Sequence, residues 1–154
     1  MIYSLEENSL HKAASYRTST TPIDIAVKGN AIAIADLMKS VSIVEYKRGA
    51  QGLQGTLEET GRHFQTAWGT AVAHVGDHTI LESDAEGNLM VLHQNTNGVT
   101  IEDQHRLEIT SEIRLGEMVN RIRSFEVPSS TSATVIPRAF LGTVGPPSLQ
   151  SRVC

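Results

Sequence analysis

The sequence predicts an all-β fold, and three features indicate it: runs of β-branched residues, turn dipeptides between the runs, and an internal repeat. The stretch 28–47, KGNAIAIADLMKSVSIVEYK, contains the first two features. Its apolar residues also fit one face of a helix, through Ile34, Leu37, Met38 and Val41. The Gly29–Asn30 pair and the β-branched runs on both sides of the break at 36–40 instead favour two strands joined by a turn.

A second copy of this pattern decides between the helix and the two strands. Residues 76–96, GDHTILESDAEGNLMVLHQNT, repeat the order of turn pair, apolar run, aspartate, polar break and apolar run. The copies are 47 to 48 positions apart; Asp36 and Asp84, for example, are separated by 48. A helix through the second break would place Gly87 in its interior at a cost of about 1 kcal/mol, whereas a turn tolerates glycine. The repeat therefore favours strands.

A repeat period in the forties, with three or four short strands per unit, is typical of a β-propeller. The chain is therefore predicted to be a partial β-propeller, with about two complete four-stranded blades plus fragments of flanking blades. The predicted strands are 2–5 and 11–19 of an earlier blade, 23–27, 31–36, 41–47 and 56–63 of one complete blade, 69–75, 78–83, 88–94 and 106–114 of a second, and 117–127 and 139–144 of a third.

Polar segments rich in Gly, Ser or Asn separate these strands and are predicted to be surface loops, at 48–55, 94–104 and 128–137. After residue 144 the pattern stops, because Pro146 and Pro147 cannot both occupy an inner strand. We expect residues 1–144 to form part of a propeller and residues 145–154 to be a divergent, disordered tail. Sheets that pack only against neighbours need several units, so we expect this chain to be a piece of a larger propeller or to complete itself by association.

The composition indicates a globular protein in a reducing compartment. Hydrophobic residues make up 40% and charged residues 19% of the 154 residues, and the net charge of -4 argues against a dedicated nucleic-acid binder. The single cysteine, Cys154, cannot form an internal disulfide, which favours the cytosol or nucleus. No apolar run is long enough to span a membrane, and the acidic N-terminal segment is unlike a signal peptide.

The sequence contains no pattern typical of a catalytic or metal site. His74 and His78 are four residues apart, but a turn at Gly76–Asp77 would separate them, so we expect no metal site. Glu58 and Glu59 are adjacent on a predicted strand, where their side chains diverge. No phosphate-binding glycine loop or nucleophile motif is found. We therefore expect no enzyme activity, no catalytic residue, no cofactor and no small-molecule substrate.

Five segments carry a resemblance to a known group of proteins. They are ADLMKSVSIVEYK (35–47), Trp68, DAEGNLMV (84–91), LGEMVNRI (115–122) and FLGTV (140–144). Through them, residues 2–144 resemble the C-terminal region shared by three large nuclear proteins: the damaged-DNA-binding protein large subunit, the A subunit of the cleavage and polyadenylation specificity factor, and the splicing factor 3b subunit. LGEMVN and FLGTV are most similar to the first protein, while ADLMKS and NLMV are also close to the second.

The resemblance to the first protein implies three propellers, of which the third would contain this chain. It implies a nuclear adaptor that links a cullin-4 ubiquitin ligase to interchangeable substrate receptors in DNA repair. The third propeller would form one side of a cleft that holds a helical segment of the receptor, and the cullin would bind elsewhere. The alternative is a scaffold of the pre-mRNA cleavage, polyadenylation or splicing machinery with nucleic-acid binding. Neither implies a membrane partner.

The resemblance also implies partner-binding residues. Trp68 and Asn120 match a tryptophan and an asparagine of the receptor-facing surface. Lys39 stands where the adaptor usually has arginine, which keeps the charge but loses the bidentate fork. Arg121 stands where the adaptor has a small apolar residue. We predict that these four residues contact a partner protein.

Each prediction has a structural alternative. Trp68 could pack between blades, Lys39 could simply be solvated, Met38 is favoured as a core residue, and Asn120 could be a buried, hydrogen-bonded amide. Arg121 and Arg123 would alternate onto one face of a strand and, with Arg114, could make a weak or indirect contact with nucleic-acid phosphate.

Overall fold

The computed structural model describes residues 1–6, 8–50, 54–128 and 135–143, with side chains as far as residue 123. A hairpin comes first, from β1 (Ile2–Glu6) and β2 (Ser9–Ala14). The first four-stranded sheet contains β3 (Pro22–Lys28), β4 (Ala31–Asp36), β5 (Ser40–Lys47) and β6 (Thr56–Arg62). The second contains β7 (Gly69–His74), β8 (Thr79–Asp84), β9 (Asn88–Gln94) and β10 (Leu107–Arg114). A last pair contains β11 (Val119–Pro128) and β12 (Val135–Thr143).

Each sheet is an antiparallel meander in chain order, which confirms the predicted partial β-propeller with two complete blades. The stretch that fitted both a helix and two strands forms β4, a turn and β5. The helical alternative is wrong because both apolar runs pair in register, for example Ile34 with Ser42. The pairing buries both runs in the core between sheets.

Three predicted boundaries were wrong. A four-residue helix, α1 (Ile101–Gln104), lies within the predicted loop 94–104, where Thr100 and Asp103 cap it reciprocally. β2 ends at Ala14 instead of residue 19, and β12 begins at Val135, inside the predicted loop 128–137. The predicted tail lies outside the described part of the chain, which leaves out residues 7, 51–53, 129–134 and 144–154.

The first strands of three successive sheets share a bulge. The pairing register shifts between Pro22 and Asp24 in β3, between Gly69 and Ala71 in β7, and after Val119 in β11. Counting from this bulge makes Asp24, Ala71 and Arg121 equivalent. β7 packs against β3 and β4 on one side and against β11 on the other. These three strands are therefore the inner strands of neighbouring blades.

The hydrophobic core lies between the sheets. Side chains of the first sheet, such as Val41 and Ile43, pack against Val72 and Leu92 of the second. A smaller cluster joins the second sheet to β11 through Ala71, Ala73, Val119 and Ile122. No helix in the described residues is long and apolar enough to cross a membrane.

Candidate partner-binding face

The turns of each sheet are hydrogen-bonded to the connections between sheets. The Leu37 N–H donates to the Thr21 carbonyl (2.9 Å), and one repeat later the Ala85 N–H donates to the Trp68 carbonyl (2.9 Å). Because the same contact recurs, each turn between the second and third strands lies beside the connection that enters its own sheet.

Further bonds join these units into a continuous surface. The Ser40 N–H donates to the Ala67 carbonyl (3.1 Å), and the Leu115 N–H donates to the Gly87 carbonyl (2.8 Å). We call this surface the turn face. It consists of residues 20–21, 36–40, 67–68, 84–88 and 115–118.

Large apolar side chains are exposed along the turn face. Their exposed fractions are 39% for Leu37, 46% for Met38, 59% for Trp68, 37% for Leu115 and 38% for Met118. Single exposed apolar residues are common, but a group of five on one surface is typical of an interaction site. The sequence favoured Met38 as a core residue, and this was wrong because the tight turn directs it outward.

Buried aspartates hold the two turns of this face. Asp36 accepts the backbone N–H of Thr20 (2.8 Å) and of Met38 (3.2 Å), and also the Thr20 hydroxyl. Burial alone would raise the pKa of Asp36, but these hydrogen bonds outweigh it and lower the pKa below its ordinary value. Asp84 caps the equivalent turn by accepting the N–H groups of Glu86 (3.0 Å) and Asn88 (2.9 Å).

The structure brings two of the predicted partner-binding residues together. Lys39 is exposed in the first turn, and Trp68 is exposed directly before β7. Their chain neighbours, Ser40 and Ala67, share the backbone hydrogen bond described above. Trp68 is 59% exposed, so most of its surface is open to a partner.

Asn120 and Arg121 are exposed near the start of β11. The alternative of a buried Asn120 is therefore wrong, because the buried neighbours are Val119 and Ile122. Arg121 Nη1 lies 3.3 Å from Asp24 Oδ1, so its charge faces a carboxylate of the first sheet.

The other arginines proposed for phosphate contact lie on two different strands. Arg114 ends β10, the outermost strand of the second sheet, while Arg123 is on β11. Arg121 and Arg123 are both exposed on either side of the buried Ile122, which confirms the predicted alternation. The structure therefore does not gather the three arginines on one strand.

The sequence analysis missed a buried polar network between the two complete sheets. Ser40 Oγ lies 2.7 Å from His63 Nδ1 and 2.7 Å from Glu82 Oε2. All three residues are buried. Serine, histidine and glutamate also form hydrolase triads, but there histidine separates serine from the acid. Here serine lies in the middle and is closed to solvent, so the arrangement is structural.

Gly69 leaves room for this network. A Cβ atom at Gly69 would lie 3.2 Å from the Asp36 carbonyl and 3.3 Å from both Ala35 Cβ and Glu82 Oε1. Any side chain at this position would press on the turn and on the buried carboxylate. The Trp68–Gly69 pair therefore combines an exposed aromatic ring with the close approach of two sheets.

The other acids and histidines singled out from the sequence are separated. Glu58 pairs with Lys47 (2.6 Å) and Glu59 with Arg62 (2.6 Å), which confirms that adjacent carboxylates diverge. His74 is buried on β7, whereas His78 is exposed in the following turn. Among the described residues, no three His, Cys, Asp or Glu side chains form a cluster able to hold a metal ion.

A groove of about 450 Å³ lies where β10 and the connection after β6 meet. It is lined by His63, Phe64, Gln65, Arg106, Leu107, Glu108 and Ile109. The Arg106 guanidinium lies 5.7 Å from the centre of the Phe64 ring. Phe64 is 64% exposed, so it offers an aromatic residue of similar exposure to Trp68 outside the turn face.

Comparison with known proteins identifies a family. Residues 1–145 match the family described as the CPSF A subunit region. DNA damage-binding protein 1b of Arabidopsis thaliana is 35% identical over 124 residues, which cover 78% of this chain and 11% of that protein. DNA damage-binding protein 1 of Solanum lycopersicum is 34% identical over 124 residues, covering 78% of the chain and 11% of that protein.

A fungal relative matches a larger part of the chain. DNA damage-binding protein 1 of Schizosaccharomyces pombe is 29% identical over 145 residues, which cover 93% of the chain and 13% of that protein. The chain therefore spans about a tenth of the length of the curated relatives that it matches.

Proposed function

The chain belongs to the family of the CPSF A subunit region, and on that premise we propose that it is part of a nuclear propeller scaffold. Its role is to hold substrate receptors of a cullin-4 ubiquitin ligase in DNA-damage repair. In this proposal the chain is a binding module without catalytic activity. The three relatives named above are DNA damage-binding proteins, which supports this branch of the family.

The apolar turn face is the observation that carries the proposal. Five large side chains are exposed on a surface whose backbone is held by hydrogen bonds between successive sheets. Such a surface loses little conformational entropy on binding because its turns are already ordered. The partner that fits it is an amphipathic helix that lays its apolar face across Met38 and Trp68.

The four predicted contact residues have different roles in this proposal. Trp68 is the anchor, since tryptophan is enriched among residues that dominate binding energy. Lys39 adds a cation beside it and favours an acidic residue on the helix. Asn120 contributes exposed hydrogen-bonding groups, and Arg121, already paired with Asp24, contributes mainly its stem.

A scaffold of the pre-mRNA processing machinery is the second candidate. The description of the matching family refers to the CPSF A subunit. The same blades could bind a different partner in that role. A weak contact with nucleic acid through Arg114, Arg121 and Arg123 would accompany this role. Affinity that depends on phosphate contacts falls steeply as salt rises, so a salt titration with a labelled oligonucleotide separates this contact from a protein partner.

Capture from nuclear extract, followed by mass spectrometry, tests the proposal. The tagged chain is compared with Trp68→Ala and with the matched control Phe64→Ala, which removes an equally exposed aromatic ring outside the turn face. We expect cullin-4 substrate receptors with the unmodified chain and with Phe64→Ala, and a loss of at least about tenfold with Trp68→Ala, equal to about 1.4 kcal/mol.

Two results would contradict the proposal. Recovery of polyadenylation or splicing subunits in place of receptors would favour the second candidate. An equal loss of thermal stability and of captured receptor in Trp68→Ala would mean that the ring packs within the propeller and does not anchor a partner.

A further inference from the structure

We propose that Glu82 is a positioning residue for the turn face. Through Ser40 it fixes both the turn that presents Met38 and Lys39 and the connection that presents Trp68. This inference rests on the proposed function of the turn face. Its structural part, the control of the turn by Glu82, can be tested without any partner.

The hydrogen-bond donors of the network determine its arrangement. Ser40 Oγ lies 2.9 Å from Glu82 Oε1 and 2.7 Å from Glu82 Oε2. The serine hydroxyl has one proton, which it donates to the carboxylate oxygens of Glu82. Ser40 Oγ then accepts from His63 Nδ1 at 2.7 Å, which assigns the proton to Nδ1 of that ring. Every short contact of Ser40 thus has a donor and an acceptor.

The network crosses between sheets. Ser40 begins β5 in the first sheet, and Glu82 is on β8 in the second. Both side chains are fully buried, and His63 is 4% exposed. A buried carboxylate that loses its hydrogen-bond donor carries a large desolvation penalty. Glu82 therefore holds Ser40 in place strongly, because losing the hydroxyl would cost this buried carboxylate a hydrogen-bond donor.

Ser40 needs such a restraint because of its backbone conformation. Its φ is +59°, in the left-handed region that residues other than glycine and asparagine rarely adopt. In this conformation its N–H donates to the Ala67 carbonyl. Lys39 directly precedes Ser40, and Trp68 directly follows Ala67. One restrained residue therefore links both elements of the turn face.

The equivalent turn of the second sheet is stabilised differently. There the positive φ of +84° falls on Gly87, where it causes no steric strain. Asp84 and Asn88 close that turn within itself through a side-chain bond of 2.8 Å. The turn at 36–40 also has its own aspartate cap, but of these two turns it is the one that takes a buried carboxylate from the neighbouring sheet. Control by Glu82 is thus specific to the turn that carries Met38 and Lys39.

Amide hydrogen exchange of the 154-residue chain tests this inference, read at the amides of Leu37, Met38, Lys39 and Ser40, which donate hydrogen bonds within the turn or to the connection. Glu82→Met removes the acceptor and keeps the side-chain length, whereas Glu82→Gln keeps an acceptor for the Ser40 hydroxyl. Ser83→Ala is the matched control, since Ser83 is an equally buried neighbour whose hydroxyl binds the Val119 carbonyl at the opposite interface (3.0 Å).

We expect exchange at these four amides to accelerate at least about tenfold in Glu82→Met. Glu82→Gln should restore slow exchange, and Ser83→Ala should leave these amides unchanged. Acrylamide should quench the fluorescence of Trp68, the only tryptophan, more strongly in Glu82→Met than in the parent chain. Glu82→Gln and Ser83→Ala should be quenched like the parent chain. Unchanged exchange and quenching in a folded Glu82→Met chain would overturn the inference.

A second variant covers the case in which Glu82→Met does not fold. Ser40→Gly removes the hydroxyl, while glycine adopts the positive φ without strain. Faster exchange at the amides of residues 39 and 40 in this variant would support the inference, and unchanged exchange would overturn it. Because these results involve no partner, they stand apart from the capture experiment that tests the proposed function.

Discussion

Arg121 Nη1 lies 3.3 Å from Asp24 Oδ1, and the two residues occupy the same position after the bulge in β11 and β3. The second oxygen of Asp24 accepts the Val72 N–H of β7 at 3.2 Å. A single carboxylate on the first inner strand therefore contacts the inner strands of the next two sheets.

Removing the arginine should have a small effect on stability. Arg121 is 53% exposed, and ion pairs in such settings contribute about 1 kcal/mol or less, so Arg121→Ala should lower the free energy of unfolding by no more than that. Urea unfolding measures it, with Arg123→Ala on the same strand as control. A loss several times larger would mean that the pair holds the three sheets together.

Substitutions of the two turn aspartates, Asp36 and Asp84, should distinguish an effect on stability from an effect on receptor binding. Asp36→Ala and Asp84→Ala each remove several hydrogen bonds to a buried carboxylate, and each should cost about 2 kcal/mol in urea unfolding. Asp36→Ala should weaken receptor binding more than Asp84→Ala, because the turn at Asp36 carries the exposed Leu37 and Met38. Equal binding losses in both variants would show that overall stability, and no particular turn, controls the interaction.

The buried His74 should make stability depend on pH. Burial lowers its pKa in the folded chain, and the nearby Lys28 adds to this. Below the unfolded-state pKa of about 6.5, the unfolded chain binds a proton that the folded chain excludes, so stability falls as the pH decreases. His74→Val, which installs the residue of the equivalent position Val27, should flatten this dependence between pH 7 and 5.

The control for this measurement is His78→Ala, which removes an exposed histidine four residues away. Urea unfolding at several pH values compares the three chains. If His74→Val keeps the full slope of the parent chain, a different group is responsible for the pH dependence.

Local patterns were sufficient to predict the sheets. The repeat of 47 to 48 residues placed the turns at Asp36 and Asp84, and the bounds of β4 and β9 match the prediction. Turn chemistry and β-branched runs act over a few residues, so they can be read from a sequence. The helix α1 was missed because a single capped turn lacks the periodicity that marks longer helices.

The contacts that build the turn face could not be predicted in the same way. Ser40 and Glu82 are 42 residues apart, and Arg121 and Asp24 are 97 apart. Such pairs depend on how two sheets pack and on the residue skipped by each bulge, which sequence spacing does not reveal. Met38 was assigned to the core for a related reason, since hydrophobicity alone does not show which way a turn directs a side chain.

The most direct test of the central claim maps where a receptor binds. Deuterium exchange of the chain is measured with and without a purified cullin-4 substrate receptor. We predict slower exchange at 36–40, 67–68 and 115–118, and no change at the turns on the opposite side of the sheets, 29–30 and 75–78. Slower exchange confined to those opposite turns would contradict the account, because the partner would then bind the other face of the propeller.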